Sequence, residues 1–227
     1  MIDIQVADRW RADHPGAHLG ILLVGQVDNT QPSAALDAHK AALTADLRAR
    51  YAGWSRADLL TLPALQIYRQ YYKKFKKTYH VQLQLESVVQ RGRDLSSVNP
   101  LVDAAFAAEL DTLILTASHD ADRLEPPLSI DSLGDGESFV AMGGQEQPLK
   151  AGDMAMRDAA GVICTIIYGQ DGRSPITPAT RRALYVAYVP AGIEETAVTH
   201  HLQTIERNIR LFAPTAVTEL RQVYTAV

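Results

Sequence analysis

Leu113-Ile114-Leu115-Thr116, Leu128-Ser129-Ile130, Ser138-Phe139-Val140-Ala141-Met142, Met154-Ala155-Met156, Val162-Ile163-Cys164-Thr165-Ile166-Ile167-Tyr168 and Ala183-Leu184-Tyr185-Val186-Ala187-Tyr188-Val189 are short aliphatic and aromatic runs set apart by Gly, Pro and Asp. Runs of this length with turn residues between them read as strands of antiparallel sheets. Gly134-Asp135-Gly136 and Gly169-Gln170-Asp171-Gly172 are turn chemistry and not phosphate loops, because neither opens a helix.

On either side of this region the pattern is helical. Ser33 opens a helix with Leu36, Leu43, Leu47 and Tyr51 on one stripe, and Gly53 ends it. Ser55-Arg56-Ala57-Asp58 has capping-box spacing ahead of a helix from Pro63 to Lys77. Asn99-Pro100 caps and starts a helix to about Leu110. Another runs from Ile193 to Phe212, ended by Pro214, and Val217, Leu220 and Val223 fit a final short helix. Strands are expected at Ile2 to Val6 and Leu19 to Val27, while Val81 to Val89 fits strand or helix. The fold class expected is α+β, with layered antiparallel β-sheets and flanking helices in a single domain over residues 1–227.

Composition narrows the function. The 227 residues are 47% hydrophobic, enough for one sizeable core, and the net charge of -4 argues against a protein that coats nucleic acid indiscriminately. Contact with RNA must therefore be local, and no DNA partner is expected. No apolar run approaches the roughly 20 residues that cross a bilayer, no signal peptide is visible, and a cytoplasmic location is expected. Cys164 is the single cysteine, which excludes an internal disulfide and fits an inert thiol within a buried strand. No motif calls for a metal or a cofactor, since paired Cys ligands, His-Glu-x-x-His and Gly-x-Ser-x-Gly are all absent.

Five punctuation marks recur in a fixed order: Ser97-Val98-Asn99-Pro100-Leu101-Val102-Asp103, His119-Asp120-Ala121-Asp122-Arg123-Leu124, Gly143-Gly144, Arg157-Asp158-Ala159-Ala160-Gly161 and Arg173-Ser174-Pro175-Ile176-Thr177-Pro178-Ala179-Thr180. Together these resemble the tRNA-binding and editing domain of the phenylalanyl-tRNA synthetase beta subunit, here as a free-standing relative. The resemblance spans about Tyr68 to Tyr188. It implies that the Asn99 helix leads into a pocket, that Gly143-Gly144 turns a hairpin, that Asp158 to Tyr168 is the strand leading into a Gly-rich pocket loop, and that Thr177 to Thr180 precedes the next pocket strand.

The parent domain binds the 3' end of misacylated tRNA and hydrolyses the ester to tyrosine, using a positioned water and the tRNA's own ribose hydroxyl. Carried over by spacing, its pocket falls on Asp103, Ala105, Phe106, Ala117, Gly169, Gln170, Asp171, Arg173, Ser174 and Val186. Several of these depart from the family. A Thr-Asn pair is replaced by Ala105 and Phe106, the pocket histidine by Ala117, the glutamate that reads the tyrosine hydroxyl by Val186, and a Gly-Gly pair by Gln170 and Asp171. Val186 accepts no hydrogen bond, so selection of tyrosine in the parent manner is not expected.

Read from the residues themselves, His119 is the best general-base candidate, with Asp120 as its partner, because imidazole titrates near neutrality. The competing reading is a loop in which His and Asp satisfy backbone groups. Asp103 is open between orienting a ribose or water and pairing with a cation or helix end. Arg173 and Ser174 are open between gripping a phosphate or carboxylate and forming an exposed turn. Arg69, Lys73 and Lys77 lie at i,i+4 steps among Tyr68, Tyr71, Tyr72 and Phe75, which suits RNA backbone contact and base stacking, or else a solvated helix face. His200 and His201 are neighbours on a helix and point apart, so a joint site is not expected. The functional expectation is a tRNA-associated domain that hydrolyses misacylated aminoacyl-tRNA in trans as an aminoacyl-tRNA deacylase. The alternatives are a non-catalytic RNA or aminoacyl-tRNA binding module, or a module that binds a small molecule such as an amino acid.

Overall fold

A computed structural model describes residues 2–227. In chain order the elements are β1 (Ile4–Val6), α1 (Asp8–Asp13), β2 (His18–Gly25), α2 (Ala34–Arg50), α3 (Arg56–Leu59), α4 (Pro63–Lys74), α5 (His80–Arg91) and α6 (Pro100–Thr112). There follow β3 (Leu115–Asp120), β4 (Leu128–Ser132), β5 (Ser138–Val140), β6 (Glu146–Pro148), β7 (Met154–Asp158), β8 (Gly161–Thr165), β9 (Gly169–Gln170), β10 (Ala183–Val189), α7 (Glu195–Arg210) and β11 (Val217–Thr225). One sheet has the order β1-β4-β7-β8-β9, a second β11-β2-β10-β3, and β5 and β6 form a hairpin around Gly143-Gly144. Pairing is antiparallel throughout except between β1 and β4. The α+β fold class and its antiparallel layers hold.

The strand β10 is apolar along its whole length because both its faces are covered. Leu184, Val186 and Tyr188 face a core shared with α4, α5 and the first sheet, whereas Ala183, Tyr185, Ala187 and Val189 face α6 and α7. Gly20 on β2 makes the second face possible. A Cβ there would lie 2.7 Å from Val198 Cγ1 of α7, so a larger residue would push the helix off the sheet.

Local signals explain most of the boundaries. The Ser55 and Asp58 side chains form the reciprocal capping box, and Asn99 accepts the Val102 N–H at 3.1 Å with Pro100 in the first turn. Residues 81–89 resolve as helix within α5, ended by Gly92 in the left-handed conformation. Three expectations need correction. The final segment is strand β11 and not a helix: Thr218 pairs with Val24 and Leu220 with Leu23, leaving Glu219 as a bulge. The extra residue brings Val217 and Leu220 to one face at a spacing of three, whereas Leu220 and Val223, with no bulge between them, fall on opposite faces and pack against different cores. Second, His119 and Asp120 do not lie in a loop, for β3 continues through both, paired with Leu184 and Ala183 of β10. Third, the rings of α4 are not free to stack on bases, because Tyr68, Tyr71, Tyr72 and Phe75 are all buried.

These rings are staples. Tyr71 and Tyr72 donate hydroxyl hydrogen bonds to Asp153 Oδ1 and the Ile166 carbonyl in the first sheet's segment, at 2.7 Å each. Tyr68, stacked on Tyr79 at 4.2 Å between centroids, reaches the second sheet. Its hydroxyl donates to the Tyr188 carbonyl at 2.6 Å and accepts the Leu115 N–H at 3.1 Å, so it is inserted into the β3–β10 ladder.

Strand β3 is a sheet edge, and its outward backbone groups have mixed fates. The Asp120 N–H bonds the Ser174 carbonyl at 2.9 Å, and the Thr116 N–H bonds Glu109 Oε1 of α6 at 2.7 Å. Glu109 is 1% exposed, and burial pushes its carboxyl up to about 8. By the two-residue alternation of a strand, Ser118 between them also turns its backbone groups away from β10.

Two stability measurements check this frame. Tyr68→Phe leaves the Leu115 N–H and the Tyr188 carbonyl unpaired and should cost about 1–3 kcal/mol in urea unfolding; a change below about 0.5 kcal/mol would remove the staple from the account. For Glu109 the unfolded carboxyl ionises near 4.3 while the folded one holds its proton to about 8, so the unfolded chain binds fewer protons and stability falls as pH rises. Half-buried His14 and fully buried His119 and His201, pushed down to about 4, 3 and 3, oppose this fall only below about 6.5. Between pH ~6.5 and ~8 Glu109 should therefore withdraw about 2 kcal/mol, and Glu109→Gln should flatten the slope. An equal slope in the variant would contradict the assignment.

Candidate functional site

The edges of the two sheets meet at β3 and β9, and a cavity of about 350 Å³ opens between them. Leu115, Thr116, Ala117 and Ser118 of β3 form one wall with Val102 and Phe106 of α6. Cys164, Thr165, Ile166, Gly169 and Gln170 form the opposite wall, while Tyr188, Ile176 and His80 complete the lining. Val98 and Met142 stand at it with 64% and 63% of their surface exposed, so apolar groups at this cavity remain in contact with water. The lining is mainly apolar and carries no carboxylate. Cys164 stays a thiol at neutral pH, because burial pushes it up to about 12.

Of the residues singled out from the sequence, Phe106, Ala117, Gly169 and Gln170 line this cavity. The others lie around it and hold it. Ala105 and Val186 are buried in the second and first cores. Asp103 takes the Lys40 ammonium at 2.6 Å, the Ser97 hydroxyl at 2.9 Å and the Val98 N–H at 2.8 Å, which ties the segment carrying Val98 to α2 and α6. Arg173 donates two 3.1 Å hydrogen bonds to Asp158 and one of 2.6 Å to Asp171. Ser174 closes the same turn onto β3.

His119 is fully buried within β3 and lies outside the cavity lining. Its Nδ1 is 2.8 Å from Ser174 Oγ and its Nε2 has no partner. Burial pushes the ring down to about 3, so it is neutral at physiological pH. Asp120 accepts the Thr180 hydroxyl at 2.7 Å and the Asp122 N–H at 3.2 Å, which fixes the turn after β3. Among the described residues, no three His, Cys, Asp or Glu side chains gather where they could hold a metal ion. Nor is any helix among the described residues long and apolar enough to cross a membrane.

Sequence reasoning missed Thr116, Ser118 and Tyr188 in the lining. The signal was present: Leu115, Ala117 and His119 alternate with Thr116, Ser118 and Asp120, the pattern of a strand with unlike faces. Ending the strand at Thr116 hid it.

A second depression is charged. Arg69 and Lys73 of α4 line it with Arg56, Lys76, Lys77, Thr78, Tyr79 and Gln82. Arg56 pairs with Glu86 at 2.9 Å, whereas no carboxylate among the described residues pairs with Arg69, Lys73, Lys76 or Lys77. Lys77 Nζ lies 5.9 Å from the centroid of Tyr168, beside the cavity residue Gly169. Tyr79, which lines this groove, is followed in sequence by His80, which lines the cavity.

Comparison with known proteins agrees with the resemblance in the sequence. No curated protein matches the chain. A solved structure, an N-terminal fragment of the phenylalanyl-tRNA synthetase beta subunit from Pyrococcus horikoshii, is similar over 96% of this chain and 54% of that one, at 9% identity and a TM-score of 0.46. The chain thus spans about half the length of that fragment. The model of the B3/4 domain matches residues 64–219, most of the chain and all of the cavity lining. The chain belongs to the B3/4 domain family and is a relative of the corresponding domain of the phenylalanyl-tRNA synthetase beta subunit.

Proposed function

We propose that the domain binds the acceptor end of aminoacyl-tRNA and clears the amino acid from mischarged tRNA in trans. The observation that supports this reading is a basic groove whose Arg69, Lys73, Lys76 and Lys77 have no carboxylate partner among the described residues, lined by Tyr79, the neighbour in sequence of the cavity residue His80. Cations on Arg69, Lys73 and Lys77 suit a sugar-phosphate backbone, and a cavity of about 350 Å³ suits one side chain. With Phe106 and no carboxylate in the lining, the cavity favours a mainly apolar side chain, and a polar atom on it must meet one of the few neutral polar groups of the wall.

His80 lines the cavity and His119 does not, so His119 is not the base; in this reading the ribose hydroxyl of the tRNA itself orients the attacking water. His119→Ala should then act on stability and leave the chemistry of the folded fraction within about threefold, whereas a general base would cost two to four orders of magnitude. The absence of a carboxylate in the lining favours a second reading, a binding module that holds aminoacyl-tRNA without hydrolysing it. A panel of misacylated tRNAs separates the two: release of the amino acid above the rate in buffer supports hydrolysis, and a slower rate than in buffer supports the binder.

The groove has its own test. Changing Arg69, Lys73 and Lys77 together to Gln should weaken tRNA binding and lower the slope of log K against log salt by about 2, with little effect on stability. Unchanged tRNA affinity would leave only a solvated helix face.

A further inference from the structure

His201 of α7 is fully buried and both ring nitrogens have partners. Its Nδ1 lies 2.7 Å from Thr112 Oγ, and its Nε2 lies 2.5 Å from the hydroxyl of Thr116, a cavity residue. Thr112 in turn bonds the Ala108 carbonyl at 2.8 Å. These contacts form one chain from a backbone carbonyl to the cavity wall, and its direction follows from the end that cannot donate. A carbonyl only accepts, so the single hydroxyl proton of Thr112 goes to Ala108 and Thr112 accepts from His201. Burial pushes His201 down to about 3, which leaves a neutral ring with one N–H. That proton sits on Nδ1, and the bare Nε2 takes the proton of Thr116.

We propose that Thr116, its proton committed inward to His201, is the specificity-determining acceptor of the cavity and selects an apolar ligand that carries a hydrogen-bond donor, such as an ammonium, amide N–H or hydroxyl. The proposal rests on the reading of this cavity as a binding site. The Thr116–His201 pair also has the spacing of a nucleophile and its base. A ring so reluctant to take a proton does not serve as that base, so the pair acts in recognition. His201 and Thr112 are positioning residues, since they work through Thr116.

Indole and benzofuran have nearly the same shape, but only indole has an N–H, and titrating each into the intact protein by NMR tests the preference. Indole should bind about five to ten times more tightly. Thr116→Val should bring the ratio close to one, Thr116→Ser should keep it, and Thr112→Val, which releases the ring to flip its tautomer, should lower it. Equal affinity of the two probes for the unmodified protein would overturn the proposal. Binding of neither would overturn the cavity reading beneath it. Imidazole nitrogen-15 spectra give a readout free of any ligand: a protonated Nδ1 and bare Nε2 on His201 are expected, and a protonated Nε2 contradicts the relay.

Discussion

A strand at the edge of a sheet turns every second N–H and C=O toward a side where no strand waits, and the placement of these groups on β3 organises the site. One outward N–H is taken by Glu109, a carboxyl buried so completely that it holds a proton at neutral pH. Another is taken by the Ser174 carbonyl, which brings the 171–174 turn and its Arg173–Asp158 pair against the strand. Ser118, between them, lies against the cavity. The cavity is the place where the edge was left uncovered. Edges of this kind invite pairing with another chain, and here the apolar walls and the neighbouring β9 restrict what can approach.

The other half of the design lies in α4. Its 3.6-residue period sends Tyr68, Tyr71 and Tyr72 inward, where their hydroxyls tie both sheets to one helix, and sends Arg69 and Lys73 outward into the groove. The position of the charges relative to the cavity is thus fixed by the same residues that hold the sheets together. Lys77 follows just beyond the helix, over the ring of Tyr168. The basic groove and the cavity are in this way both tied to the core, although each has its own chemistry.

Much of this frame was legible in the sequence because local chemistry and tertiary role agree. Asn99-Pro100, Ser55 with Asp58, and Gly143-Gly144 each specify a cap or a turn that needs little from the rest of the chain. The order of the punctuation marks carried the family. Illegible parts depended on partners far away in the chain. The Glu219 bulge broke the two-residue period by which a strand is read, and of Val186 and Tyr188, on one face of β10, only Tyr188 lines the cavity. His119 looked like a base because its loop character was inferred from Asp-rich neighbours. Its burial, and its bond to Ser174, come from a contact fifty-five residues away. His201 was set aside with His200 for the reason that adjacent helical residues diverge, which is true and leaves each free to act alone.

Amide hydrogen exchange at Ser118 tests the central claim most directly, namely that β3 leaves its backbone open to a ligand at this point. In the free protein the Thr116 and Asp120 amides should exchange slowly, held by Glu109 and Ser174, while Ser118 between them exchanges fast. Addition of tRNA carrying an amide-linked, non-hydrolysable phenylalanine should slow Ser118 and leave its two neighbours unchanged. A Ser118 amide that exchanges at the same rate with and without the charged tRNA would contradict the account.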